Sequence, residues 1–374
     1  MNLKGISKHI QSIIQLFENA GSEFHPEWST EEHFIINNFI ALPVFELECS
    51  INAEEDIDIN DEHGNLLGVL CPTGATGDIY SVNELSAHKL NAFIHDIDDD
   101  QFGLSQSHNF KSHYLLIHKD FITRYVSDFL ESAPIWGGFT HKPRSPRYKK
   151  SITKIVMSRK MFTPTIRHNA DLEKAISAAN GFDRFLKYYH QLELLFDVIF
   201  VSKVRGLPKH SIEGFSNVVK DYQKKELESL KGIFKDYATD SKALLSIMAS
   251  CTPYTTTMEA VFQDHSKDGN PVTSDQTKWA NLLIFLQGND HTHSKAKQLS
   301  LISKDTSNSL DQFILNLTAY WIYRIRCSIA HNKIGEFMFS DSHEEFIVEI
   351  GEKLLKEVIM QIFSNNALES ILSS

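Results

Sequence analysis

An apolar run near the C-terminus, FILNLTAYWIYRIRCSIAH, carries Arg324 and Arg326 in its last turns and ends on His331, with Asn332 next. An unpaired charge inside a core costs several kcal/mol, so these groups either reach water or line a site. A guanidinium beside an imidazole suits phosphodiester chemistry. The arginine neutralises phosphate through a bidentate contact, and the histidine moves a proton near neutral pH. On a helix, Arg324 and His331 are seven residues apart and fall within roughly 20° of each other. Arg326 and His331 are five apart, roughly 140° around, a gap that a long arginine spans where the helix end is open. Asn332 readily ends a helix and is placed to orient a neighbouring imidazole.

A second polar stripe lies upstream, in FLKYYHQLELLFDVIF. There His190, Glu193 and Asp197 interrupt an otherwise apolar helix at spacings of three and four. Glu193 has two readings: a carboxylate that holds an arginine or orients His331, or one half of a structural ion pair.

The elements that must position these residues are helical. From Asp171 onward the apolar spacing is that of helices nearly throughout, beginning with a face at 185, 189, 192, 196 and 199 that Gly206 and Pro208 terminate. Further helical runs follow: VVKDYQKKELESLKGIFKDY, SKALLSIMAS, SDQTKWANLLIFLQG, the run ending at His331, and HEEFIVEIGEKLLKEVIMQIF. Together they imply an all-α bundle over 171–374. The first part of the chain reads differently. Residues 3 to 20 have helical spacing, and then FELECSI, DIDIN, LLGVLCP and SHYLLIH are short runs separated by turn signals. The expectation is an α+β domain over 1–131, a basic linker over 132–170, and the helical domain.

Charge separates the same regions. Residues 1 to 131 hold 6 Lys/Arg and 22 Asp/Glu, a net of −16, although the whole chain is only −11. Between Glu131 and Asp171 there is no acid but nine basic residues, of which Lys142, Arg144, Arg147, Lys149 and Lys150 form the densest group. These five suit contacts to a nucleic-acid backbone. The acidic half is a poor nucleic-acid platform, so it is expected to restrain or aim the other half, folding onto the basic stretch until a trigger releases it.

Other chemistries find little support. EDIDINDEHGN places Asp56, Asp58 and Asn60 as a calcium loop would, but has Asp61 where that loop needs glycine and Leu67 where it needs glutamate. It reads as a hairpin with a solvated acidic face, as does HDIDDD at 95–100. His291 and His293 lack acidic or cysteine companions at ligand spacing. No Walker, Rossmann or nucleophile-elbow motif is present, and no cofactor or metal is expected. Cys49, Cys71, Cys251 and Cys327 are dispersed, which suggests buried thiols in a cytoplasmic protein. The N-terminus reads as an amphipathic helix and not as a leader, and Arg324 and Arg326 break the best candidate for a membrane span.

RCSIAHN, with four residues between Arg326 and His331, resembles the mark of the HEPN superfamily: arginine, four to six residues, histidine, often asparagine, on a late helix of a bundle. RIRCSIAH, from Arg324, fits with six. FLKYYHQLELLFDVIF is similar to the first long helix of HEPN domains in prokaryotic defence proteins, where polar groups face the Arg-His motif. The resemblance covers roughly 171 to 365. Many active members have a polar residue directly after the arginine, where this chain has Cys327 or Ile325. It implies a metal-independent endoribonuclease, a toxin or effector of anti-phage defence, in which two copies form one composite cleft through their C-terminal bundles. His331 would be general acid or base and Arg326, or Arg324, the phosphoryl clamp, with Asn332 and Glu193 beside them. RNA would be the substrate, and a phage component or an antitoxin a further partner. The same motif also serves non-catalytic dimerisation modules, and a nucleic-acid-binding regulator using 142–160 is the third alternative.

Overall fold

The computed structural model describes residues 3–28, 34–47, 55–61, 63–73, 79–104, 106–143, 148, 161–208, 212–222, 225–272, 275–331 and 335–373. The chain forms two compact units, Met1–Ser145 and Pro146–Ser374. The first is α+β and the second helical, in the order the sequence implies.

The first unit comprises α1 (Leu3–Asn19), β1 (Pro26–Trp28), β2 (Phe34–Ile36), β3 (Phe39–Val44), β4 (Glu46–Leu47), β5 (Ile57–Asn60), β6 (Leu66–Cys71), β7 (Tyr80–Ser81), α2 (Ala87–Asp96), β8 (Ser107–His108), β9 (His113–His118), α3 (Ile122–Arg124), α4 (Ala133–Trp136) and β10 (Phe139–Thr140). Six strands form one antiparallel sheet in the order β1-β2-β3-β9-β6-β5. The middle of β9, Tyr114 to Ile117, is buried on both faces, which is why HYLLIH is apolar without alternation. Leu116 and Tyr114 pack in one cluster with Ile13 and Phe17 of α1 and with Leu90 and Phe93 of α2. Leu115 and Ile117 face the other way, toward Tyr125, Ala133 and Phe139.

Two features differ from the sequence expectation. The first residues assigned to the linker belong to this unit, because Phe139 is a buried anchor and β10 pairs with β4. The acidic strings are also less solvated than expected. EDIDINDEHGN is a hairpin, with β5 paired to β6 and the Asp61 carboxylate accepting the backbone N–H groups of His63 and Asn65, both at 2.8 Å. Asp56, however, turns inward to Lys89 at 3.0 Å and Ser86 at 2.5 Å. In HDIDDD the Asp96 side chain is fully buried, taking hydrogen bonds from Tyr114 at 2.6 Å and His108 at 2.7 Å. Buried carboxylates need such partners, and both have them.

The second unit comprises α5 (Ile166–Ile176), α6 (Gly181–Arg205), α7 (Ile212–Tyr222), α8 (Glu226–Tyr237), α9 (Ser241–Ala249), α10 (Thr255–Glu259), α11 (Gln276–Gln287), α12 (His293–Gln298), α13 (Ser307–Ala330), α14 (Glu344–Phe346), α15 (Glu352–Phe363) and α16 (Asn366–Ser373). α13 lies against α6, α8, α9 and α15. Leu317, Ala319, Tyr320, Trp321, Ile322 and Ile325 of α13 are completely buried. Trp321 stacks on Phe262 with centroids 4.7 Å apart and planes 2° from parallel, an aromatic pair worth about 1 kcal/mol beyond its buried area. The run 218–237 is not one helix as its spacing suggests. α7 packs on α6, whereas α8 packs on α13 and α15, so tertiary contacts override a local pattern that has no Gly or Pro at the break. Among the described residues no helix is long and apolar enough to cross a membrane, and Cys71, Cys251 and Cys327 are free and buried. Cys49 lies outside the described residues.

Candidate active site

α6 and α13 present the two polar stripes to each other. α6 starts where Asn180 accepts the Asp183 N–H at 2.8 Å and Glu344 accepts that of Gly181 at 2.5 Å, which satisfies two of the donors a helix start leaves open. A Cβ at Gly181 would sit 2.7 Å from Val348 Cγ2, so any larger residue there would force a neighbour to shift. The buried face of α6 includes Phe185, Tyr189, Leu192 and Ile199, and this turns Glu193 toward the end of α13.

α13 is apolar all round because it crosses the middle of the unit, and charge is tolerated only in the turns where it leaves the core. Thr306 caps its start. It ends because His331 is extended (φ −122°, ψ 103°) while its N–H still reaches the Cys327 carbonyl at 2.9 Å. That exit swings the imidazole away from the helical position. A helical wheel pairs His331 with Arg324, but the ring instead meets Arg326, whose Nη1 lies 3.1 Å from Nε2. A guanidinium has no acceptor, so it donates and Nε2 accepts. In this contact His331 is neutral, with its proton on Nδ1 and a lone pair held at Nε2.

Three further groups hold Arg326. Nη2 donates to Glu193 Oε1 at 3.2 Å, Nε stands 3.5 Å from Glu226 Oε1, and the guanidinium carbon lies 5.6 Å from the centre of the Tyr189 ring. Tyr189 donates its hydroxyl to Glu226, which ties the first residue of α8 to α6. Burial, reinforced by the neighbouring Glu226 carboxylate, pushes the Tyr189 hydroxyl well up, so it stays a donor. Burial works against the Arg326 charge, but Glu226, Tyr189 and Glu193 more than offset it. Arginine has five N–H groups. These contacts leave one N–H on each terminal nitrogen for an arriving phosphate. Arg326, Glu193 and Glu226 together carry −1, so an arriving phosphate competes with two carboxylates.

Arg324 does not join this group. Its side chain is 2% exposed, against 22% for Arg326. Its Nη2 donates to Glu336 Oε2 at 2.7 Å and to the His265 carbonyl at 3.1 Å, and Lys267 shares Glu336 at 3.2 Å. Burial raises the Glu336 carboxyl, but Arg324 and Lys267 outweigh it and hold it below the usual range. Arg324 therefore fastens the segments around His265 and Glu336 to the core.

The other expected residues are dispersed. Lys142 belongs to the first unit and pairs with exposed Glu131 at 2.9 Å. Arg144, Arg147, Lys149, Lys150 and Asn332 lie outside the described residues. His190 approaches Glu193 at 3.7 Å, and Asp197 accepts the Tyr222 hydroxyl at 2.8 Å. His293 is taken by Asp305 at 2.6 Å. Sequence reasoning missed Tyr189 and Glu226. Tyr189 carries a signal, since it sits one helical turn before Glu193 and so on the same face. Glu226 carries none, because its place depends on the break between α7 and α8. Against known proteins, no family matches the chain, and neither a curated protein nor a solved structure does.

Proposed function

We propose that the C-terminal unit is a HEPN-type endoribonuclease that needs no metal ion and serves as a cytoplasmic toxin or effector of anti-phage defence. The observation that supports this best is the Arg326–His331 contact, which sets a ring nitrogen, its lone pair now accepting from Arg326 and released as the guanidinium turns to the phosphate, beside two further guanidinium N–H groups. The nucleophile belongs to the substrate. The ribose 2′-hydroxyl attacks the adjacent phosphorus and gives its proton to His331 Nε2. Arg326 takes the charge that grows on the phosphoryl oxygens. The 5′-oxygen leaves with a proton, and the products are a 2′,3′-cyclic phosphate and a 5′-hydroxyl. One histidine that has just accepted a proton is not placed on the leaving-group side, so a two-fold pair of bundles, offering the same residues of a second copy, completes the reaction. Glu193 and Glu226 orient the guanidinium. The acidic N-terminal unit restrains or aims the nuclease, and a phage component or antitoxin is the partner that shifts it.

A second reading is favoured by one observation: every nitrogen of Arg326 already has a partner. Under it the motif is a structural network in a non-catalytic dimerisation module. The two readings separate on one experiment. The purified protein in EDTA, given a single-stranded RNA and its 2′-O-methylated counterpart, should cut the first and leave the second intact. Cutting of the methylated RNA, or of neither, contradicts the nuclease reading.

A further inference from the structure

Beside the Arg326 site, α6 and α8 line a groove of about 770 Å³, to which α5 adds Arg167 and Asp171 and α7 adds Val218 and Tyr222. α6 lines it from His190 to Lys203, about 20 Å at the rise of a helix. The floor is apolar, with Leu194, Phe196, Ile199, Phe200 and Ile233. The rim is acidic: Asp171, Glu193, Asp197, Glu226, Glu228 and Asp236 outnumber Arg167 and Lys203. Gly232 of α8 also lines it, and a Cβ built there meets nothing within 4 Å. A glycine inside a helix weakens it, yet here it leaves a notch that admits a side chain from outside.

We infer that this groove is the docking site of a basic amphipathic helix from a partner protein. Its walls are helices that present side chains and no unpaired strand edge, so an incoming segment is read by knobs packed between ridges. The length accommodates about four helical turns. An apolar stripe covers the aromatic floor, and lysines or arginines on its flanks meet the acidic rim, a charge complementarity that also speeds encounter. A phosphate backbone would be repelled by the same carboxylates. Glu193 and Glu226 belong to both places, so a docked cation draws on the groups that hold Arg326. The docking itself does not rest on the ribonuclease reading, because neither Arg326 nor His331 lines the groove.

The test uses the full chain and a fluorescent peptide of about four turns, with leucines on one face and lysines on the other, read by anisotropy near physiological salt. A peptide of the same composition with the faces scrambled is the control. The amphipathic peptide should bind, and the scrambled one should bind at least about tenfold more weakly, since charge alone is not enough. Gly232→Leu fills the notch without a clash and favours the helix, and it should weaken binding by about tenfold or more. Reversing the rim with Glu228→Lys and Asp236→Lys should do the same, and circular dichroism checks that each variant is folded. Equal binding of the two peptides, or full binding by Gly232→Leu, overturns the proposal. So does competitive displacement of the peptide by a single-stranded oligoribonucleotide, which would assign the groove to RNA.

Discussion

Arg324 and Arg326 are two residues apart, yet replacing each with alanine should have opposite consequences. Arg324→Ala removes two buried methylenes beyond Cβ, about 1.6 kcal/mol of transfer free energy. It also removes charge-assisted hydrogen bonds to Glu336 and the His265 carbonyl, worth about 2 kcal/mol or more. The total of about 4 kcal/mol matches the usual cost of breaking a buried pair by deleting one partner. For a unit the size of Pro146–Ser374 that corresponds to a melting temperature lowered by about 10 °C. Arg326 is exposed enough that its two carboxylate pairs contribute about 1 kcal/mol or less each, so Arg326→Ala should melt within about 5 °C of the wild type. Cleavage of RNA should vanish in Arg326→Ala and persist in Arg324→Ala measured well below its melting point. Thermal unfolding followed by the helical circular-dichroism signal, with a gel-based cleavage assay alongside, reads both. Arg324→Ala melting like the wild type, or Arg326→Ala losing as much stability as Arg324→Ala is expected to lose, refutes this assignment of roles.

Asp56 gives the N-terminal unit a pH dependence. Burial raises its carboxyl, but hydrogen bonds from His88, Ser86 and Lys89 outweigh this and bring it down from 3.8 to about 2. A folded value below the unfolded one means that its stabilisation, about 2 kcal/mol, is complete above about pH 4 and fades as the pH falls through about 2. Asp56→Asn should therefore destabilise the unit in urea at pH 7 and not near pH 2, and an equal effect at both pH values counts against the linkage. Light scattering should find the active protein at least dimeric, and a fully active monomer removes the composite cleft. Residues 146–374 expressed alone should bind RNA more tightly and be more toxic than the full chain, whereas a folded but inert fragment shows that the N-terminal unit is needed for activity.

The helical half was legible because apolar residues at 185, 189, 192 and 199 can only repeat that way on one buried face, and Gly206 marks the stop. The partnership of Arg326 with Glu193 was within reach for the same reason. Its rivalry with Arg324 was not. That choice depends on His331 leaving the helix in an extended conformation, a backbone detail that spacing does not encode. β3 escaped notice because Pro43 argues against a strand. The proline is accommodated because β2 pairs with β3 only at Ile36 and Phe39, so its missing N–H faces no neighbour there. Asp56 and Asp96 look alike in sequence to the exposed acids around them, and only the sheet and α2 decide which carboxylates turn inward.

On the proposed reading, His331 and Arg326 cut RNA through its own 2′-hydroxyl. Mapping the RNA ends formed after induced expression of the wild type and of His331→Ala tests it most directly. The wild type should leave 2′,3′-cyclic phosphate and 5′-hydroxyl ends and His331→Ala none, at nearly unchanged melting temperature. Ends bearing a 5′-phosphate, or the same cyclic-phosphate ends from His331→Ala, would contradict it.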